Sequence, residues 1–146
     1  MSMDEIKNTV DFGILGLLLA LSVWAVAVGR GRFSHYRRVR LEDYATRVEL
    51  ETDLTRGLTL VGTVAANAPY VGLLGTVLGI MLTFQSMGTS GALDVKSIMT
   101  GLALALKATA AGLLVAIPCV ALNNALRRRV REKLAEFDAR RERGHG

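Results

Sequence analysis

Lys107 stands alone in the apolar stretch LALALKATAAGLLVAIP, residues 102–118. An ammonium there can hold a carboxylate, tune a proton-transfer step or bond to backbone carbonyls. Polar neighbours are few: Asn67, Thr76, Thr83, Thr100 and Thr109 are the other notable ones in the apolar stretches. A threonine hydroxyl in a helix often bonds only to the carbonyl one turn earlier, so each alone is weak evidence of function. No carboxylate occurs in these stretches, so any counter-charge for Lys107 has to come from another polypeptide. Other chemistry is absent from the sequence. His35 lies in a basic loop and His145 beside the last residue, with no metal-ligand spacing. Cys119 is the only cysteine, which excludes an intrachain disulfide and reads as packing. With no phosphate-binding glycine loop and no nucleophile and base pair, no catalytic residue, metal or cofactor is expected, and the chain does not read as an enzyme.

Those side chains have to be carried by long apolar elements. Of 146 residues, 51% are hydrophobic but only 5% aromatic, and the apolar ones fall into blocks: Phe12 to Gly29, Gly57 to Leu93, and Ser97 to Leu126, the last broken only by Lys107. About 20 apolar residues cross a hydrocarbon core of about 30 Å. Buried helices of a water-soluble domain would keep a polar face, and these have none. The pattern predicts an all-α membrane protein with three transmembrane helices, spans near 10–29, 59–87 and 97–122, in a single domain covering 1–146. The start MSMDEIKNTVD is acidic and lacks the basic region of a signal peptide, so the first block is expected to remain as an anchor.

Charge orients the spans. Fifteen of the eighteen lysines and arginines lie between Arg30 and Arg56 or between Arg127 and Arg143. The positive-inside rule makes segments 30–58 and 123–146 cytoplasmic and puts the start of the chain and the connection from Gly88 to Lys96 outside. The net charge of +5 could suggest nucleic acid, but it sits at membrane boundaries, where anionic lipid headgroups are the nearer partner. No nucleic-acid partner is expected.

Outside the spans the pattern stays helical. Arg38 and Glu42, Asp43 and Arg47, and Arg47 and Glu51 are four apart, and Leu50, Leu54 and Leu58 form a stripe leading into the second span. Leu126, Val130, Leu134 and Phe137 repeat the design in the tail. The second and third spans therefore read as helices with long cytoplasmic extensions. So little soluble chain offers no core of its own, and the stripes call for partners, or the tail is a solvated, lipid-touching anchor. Within the bilayer, Ala68, Gly72, Gly75 and Gly79 follow a 4-3-4 rhythm, as do Gly101, Ala105, Ala108 and Gly112. Small residues so spaced allow close helix approach, between the two spans or between copies. Pro69 and Pro118 each remove a helix hydrogen bond, giving a bend or a packing kink. Lys107 lies about 15 Å from either end of its span, beyond the reach of snorkelling. An ammonium at that depth costs about 3 kcal/mol on insertion scales, so it has to face protein or water.

The pair APYVGLLGTVLGIMLTF (68–84) and GLALALKATAAGLLVAIP (101–118) resembles the signature of the MotA/TolQ/ExbB proton-channel family. The resemblance implies a homo-oligomer, a pentamer, of three-span subunits in the bacterial inner membrane, bundled around a central pore. It implies an ExbD-like single-span partner with a membrane aspartate and a TonB-like protein, in a motor driven by the proton-motive force that energises uptake across the outer membrane. A TolQ-type role in the Tol–Pal motor of the cell envelope is the alternative within the family, and a non-conducting scaffold for a partner helix the alternative outside it. The family's pore threonines fall on Thr76 and Thr109, with Thr83, Leu104 and Lys107 along the same expected pore or ion path. Where relatives usually carry a membrane glutamate, this chain has Leu104, which removes a carboxylate role from this subunit. Lys107 and Thr109 are about 200° apart around a helix, so one faces the pore and the other a neighbouring subunit.

Overall fold

The computed structural model describes residues 3–91 and 94–144. Ala92, Leu93 and His145 therefore lie outside the described residues, and with them part of the expected outer connection. Four helices account for nearly all of the described chain: α1 (Met3–Arg38), α2 (Arg47–Thr55), α3 (Leu58–Ser90) and α4 (Val95–Arg143), with a 3-10 turn at Leu41–Asp43. Three of them, α1, α3 and α4, are long and apolar enough to cross a membrane. At 1.5 Å per residue, α4 is about 74 Å long, more than twice the hydrocarbon thickness. It runs without interruption through Pro118, as α3 does through Pro69.

Local chemistry sets the ends. Thr46 caps α2 by accepting the Glu49 amide at 3.2 Å, and the Glu49 carboxylate reaches back past the cap to accept the Ala45 amide at 3.2 Å. Asp94 caps α4 by accepting the amides of Lys96 and Ser97, at 3.2 and 3.3 Å. The Ser97 hydroxyl adds a bond at 2.8 Å and holds the Asp94 carboxyl below the ordinary range. Gly57, at φ 82°, separates α2 from α3. This corrects the expectation that the Leu50–Leu54–Leu58 helix continues into the second span: a left-handed residue cannot propagate an α-helix, and glycine occupies that conformation without a Cβ penalty. The extension beyond the third apolar block does form, as the second half of α4.

The two leucine stripes pack on each other. Leu50, Leu54, Leu58 and Val61 meet Leu126, Val130, Leu134 and Phe137, with Tyr36 and Leu41 closing the cluster. The expectation that this end has no core of its own is therefore wrong. Folding α2 back onto α4 brings the stripes face to face, a tertiary event that neither stripe encodes separately. The expected ion pairs within the loop are likewise replaced: Arg47 reaches Asp138 at 3.2 Å and Arg140 reaches Glu42 at 3.6 Å, both between α4 and the segment carrying α2. Farther along the bundle most buried side chains are smaller, first Ala25, Val64, Ala65 and Cys119, then Ala68 and Ala116 around Leu18. Large apolar side chains hold the basic end, where water drives burial. Small ones hold the apolar region, where close van der Waals approach replaces that drive.

Candidate functional site: a threonine pair on the α3–α4 seam

The glycine and alanine rhythms meet within one chain. A Cβ on Gly72 would lie 2.7 Å from the Ala108 carbonyl oxygen, and one on Gly112 would lie 2.7 Å from that of Ala68. Gly75 faces the Ala108 methyl and Ile14 of α1, and Gly79 faces Ala105. Of the two packing options left by the sequence, the described contacts are between the second and third spans of the same chain. Thr83 belongs to this packing too. It is buried against Gly101, and its hydroxyl donates to the Gly79 carbonyl one turn earlier at 2.8 Å.

Thr76 and Thr109 behave differently. Close approach of the two backbones brings their hydroxyls into direct hydrogen-bond contact across the seam. The Thr76 oxygen also lies 3.0 Å from the Ala105 carbonyl oxygen. A hydroxyl has one proton to give. If Thr76 donates to Ala105, it accepts from Thr109, and the two form a short chain ending on α4 backbone. Thr76 is buried, whereas Thr109 remains half-exposed. The Thr109 oxygen thus has acceptor capacity left for a donor arriving from outside the chain.

Lys107 is elsewhere. It is exposed, while its neighbours Ala105 and Ala108 face α3. Leu104 is half-buried, about 140° around α4 from Thr109. The structure therefore joins Thr76 to Thr109 and leaves Lys107 and Leu104 off that contact. Asn67 and Thr100 make only back-bonds, to Thr63 at 2.8 Å and Lys96 at 2.9 Å. Sequence reasoning passed over Asn123, whose buried Oδ1 has no hydrogen-bond partner among the described residues and packs near Gly62. The only sequence signal was a pair of asparagines ending an apolar run.

A second polar cluster clamps the basic end. Asp53 accepts from the Tyr44 hydroxyl at 2.8 Å and lies 2.7 Å from His35 Nε2. The Tyr36 hydroxyl donates to the Leu54 carbonyl at 2.6 Å, and Arg32 donates to the carbonyls of Asp53 and Arg56. These bonds tie α1 to the last turn of α2, just before Gly57. The bond with His35, then that with Tyr44, holds the Asp53 carboxyl below its ordinary value, and Asp53 pushes Tyr44 up to about 12. A depressed folded pKa means stability that is complete above the unfolded carboxylate value of about 4 and is lost as pH falls through the folded value. Asp53→Asn is expected to cost about 1 to 3 kcal/mol and to flatten the acid limb of the stability profile. Thermal unfolding between pH 7 and pH 3 checks this; an unchanged acid limb would remove Asp53 from the clamp.

Three long apolar helices, a small-residue seam and a hydroxyl pair within it are the features of a helical membrane protein. The family model for the MotA/TolQ/ExbB proton channel family matches residues 34–139. The chain belongs to that family: it is a multi-pass membrane protein of transport and not an enzyme. Within the family it is of the ExbB type. It is 54% identical over 137 residues to the biopolymer transport protein ExbB of Aquifex aeolicus, covering 94% of this chain and 93% of the relative. It is 49% identical over 132 residues to a putative biopolymer transport protein, ExbB-like 2, of Helicobacter pylori, covering 90% and 88%. Helicobacter pylori ExbB is 49% identical over 131 residues, covering 88% of each chain.

Proposed function

We propose that this chain is the channel-forming subunit of an inner-membrane motor of the ExbB–ExbD–TonB type. In this reading several copies, five by family analogy, surround an ExbD-like helix, and protons move between that helix's aspartate and the seam carrying Thr76 and Thr109. The observation that carries it is the hydroxyl pair, with Thr76 buried and Thr109 half-buried at the edge of the seam. The chain supplies no carboxylate at that depth, so the titrating acid belongs to the partner. The Thr109 hydroxyl oxygen offers a hydrogen-bond acceptor to the acid's protonated form. Each charge moved through the membrane field releases about 2.3 kcal/mol per 100 mV, which a TonB-like protein would convert into work on the outer membrane. Near full-length similarity to ExbB proteins supports this over the TolQ-type reading.

Thr109→Val is close to isosteric and leaves Thr76 bonded to Ala105. It is expected to lower TonB-dependent uptake in cells at least tenfold, a loss of about 1.4 kcal/mol or more in the driven step, with the protein level unchanged. Full uptake at normal abundance would remove the pair from the path. Lys107, on the other side of α4, is proposed to meet a carboxylate or backbone carbonyls of another polypeptide.

The same reading places the basic end in the cytoplasm and the Gly91 end in the periplasm. In a Cys119→Ser background, an impermeant thiol reagent applied to intact spheroplasts should label Thr89→Cys and spare Ser34→Cys. Both positions are exposed in the structure. The reverse pattern would invert the topology.

A further inference from the structure

Gly29 of α1 packs against Leu122 of α4, where a Cβ would overlap the leucine side chain. Just beyond it, on the basic side, two adjoining cavities open between the helices and share Phe33 and Arg37. The nearer one, about 360 Å³, has Leu122 and Phe33 on its apolar side and Arg30, Ser34 and Arg37 on its polar side. The farther one, about 490 Å³, extends to Arg129 and Lys133. The cations of the two differ. Arg129 lies over the Phe33 ring at 5.6 Å and bonds to Glu132, and Lys133 is paired with Glu136. Arg30 and Arg37 have no bonding partner among the described residues, and no carboxylate lines the nearer cavity.

On the other side of Gly29 the same face of α1 is apolar and open. Leu19, Val23 and Val26 are 66, 62 and 44% exposed. With Arg30, Phe33 and Arg37 they make one stripe at 4-3-4-3-4 spacing, so a single helix face passes from an apolar track into two unpaired guanidiniums. Arg30 and Arg37 are two turns apart, about 10 Å along the axis, within the joint reach of two arginine side chains.

We propose that this groove holds one anionic phospholipid, with its phosphate between Arg30 and Arg37 and an acyl chain along Leu19, Val23 and Val26. Guanidinium pairs suit phosphate oxygens, because their planar forks give charge-assisted, bidentate bonds. The apolar track selects a lipid over a free phosphate, and the excess positive charge selects an anionic headgroup over a zwitterionic one. The proposal rests on α1 crossing the membrane, but the thiol-labelling result above stands whether or not the groove binds lipid.

The full-length protein, reconstituted in nanodiscs of equal phosphatidylglycerol and phosphatidylcholine, can be released in a native mass spectrometer and its retained lipid counted. Wild type should keep phosphatidylglycerol in preference to phosphatidylcholine, and Arg30→Gln/Arg37→Gln should lose that preference roughly tenfold. Arg38→Gln/Arg40→Gln removes the same charge away from the groove and should behave as wild type. Equal loss in both double variants would mean a diffuse surface charge effect and would overturn the site. So would phosphatidylcholine retained as well as phosphatidylglycerol, or inorganic phosphate alone displacing the lipid. Because neither arginine is bonded within the chain, both variants should keep the wild-type melting temperature, which shows that any loss is not unfolding.

Discussion

Gly72→Leu should break the α3–α4 seam within the apolar region. Even a methyl at Gly72 would press on backbone, the Ala108 carbonyl at 2.7 Å and the Gly112 Cα at 3.1 Å, and backbone cannot rotate away as a side chain can. The helices would have to separate. Separation breaks the contact of Thr76 with Thr109 and the facing Gly75–Ala108 and Gly79–Ala105 contacts together. Overpacking one rigid site costs typically 1 to 3 kcal/mol, and a leucine against two backbones belongs at or beyond the upper end. Without hydrophobic drive between helices in lipid, little else holds the pair in that region. Limited proteolysis and melting of the purified protein should show loss of the protected core. Gly88→Ala, with no atom within 4 Å of its would-be Cβ, should melt as wild type. A stable, protease-resistant Gly72→Leu protein would mean that the seam is not the contact described.

Lys107→Met should impair the assembled machine while leaving the single chain intact. The lysine is exposed, so nothing within the subunit depends on it. An ammonium cannot face lipid at mid-depth cheaply, so the assembly has to cover it. Removing one side of a buried charge pair typically costs 3 to 5 kcal/mol, because the other charge is left alone. A double-mutant cycle with an Asp→Asn change in the proposed ExbD-like partner separates the two possible covers. Coupling in complex stability and proton-driven uptake identifies the partner carboxylate. Strict additivity leaves bonds to carbonyls of a neighbouring copy.

The glycine and alanine rhythms carried most of the fold within the apolar region, because close packing there demands small residues at fixed spacing. Both hydroxyls were visible as residues, yet only the family resemblance singled them out, since isolated threonines in helices usually back-bond, as Thr83 does. The basic end departs from its sequence pattern for a physical reason. Leu50, Leu54 and Leu58 have the period of one helix, and periodicity does not register the left-handed turn at Gly57 that folds α2 against α4. Arg47 and Asp138 are too far apart in sequence for spacing to pair them. Asn123 left no sequence signal beyond its polarity, and its orphaned oxygen emerges only when Gly62 brings α3 against it.

On the proposed function, the Thr76–Thr109 pair lies on the path of protons to the proposed partner's acid. Liposomes containing the assembled complex, a pH-sensitive dye inside and an imposed potential, measure that directly. Wild type should pass protons in a manner abolished by the partner's Asp→Asn change, and Thr76→Val/Thr109→Val should reduce the flux at least tenfold while the complex keeps its mass. Wild-type flux from the double-valine complex would contradict the account.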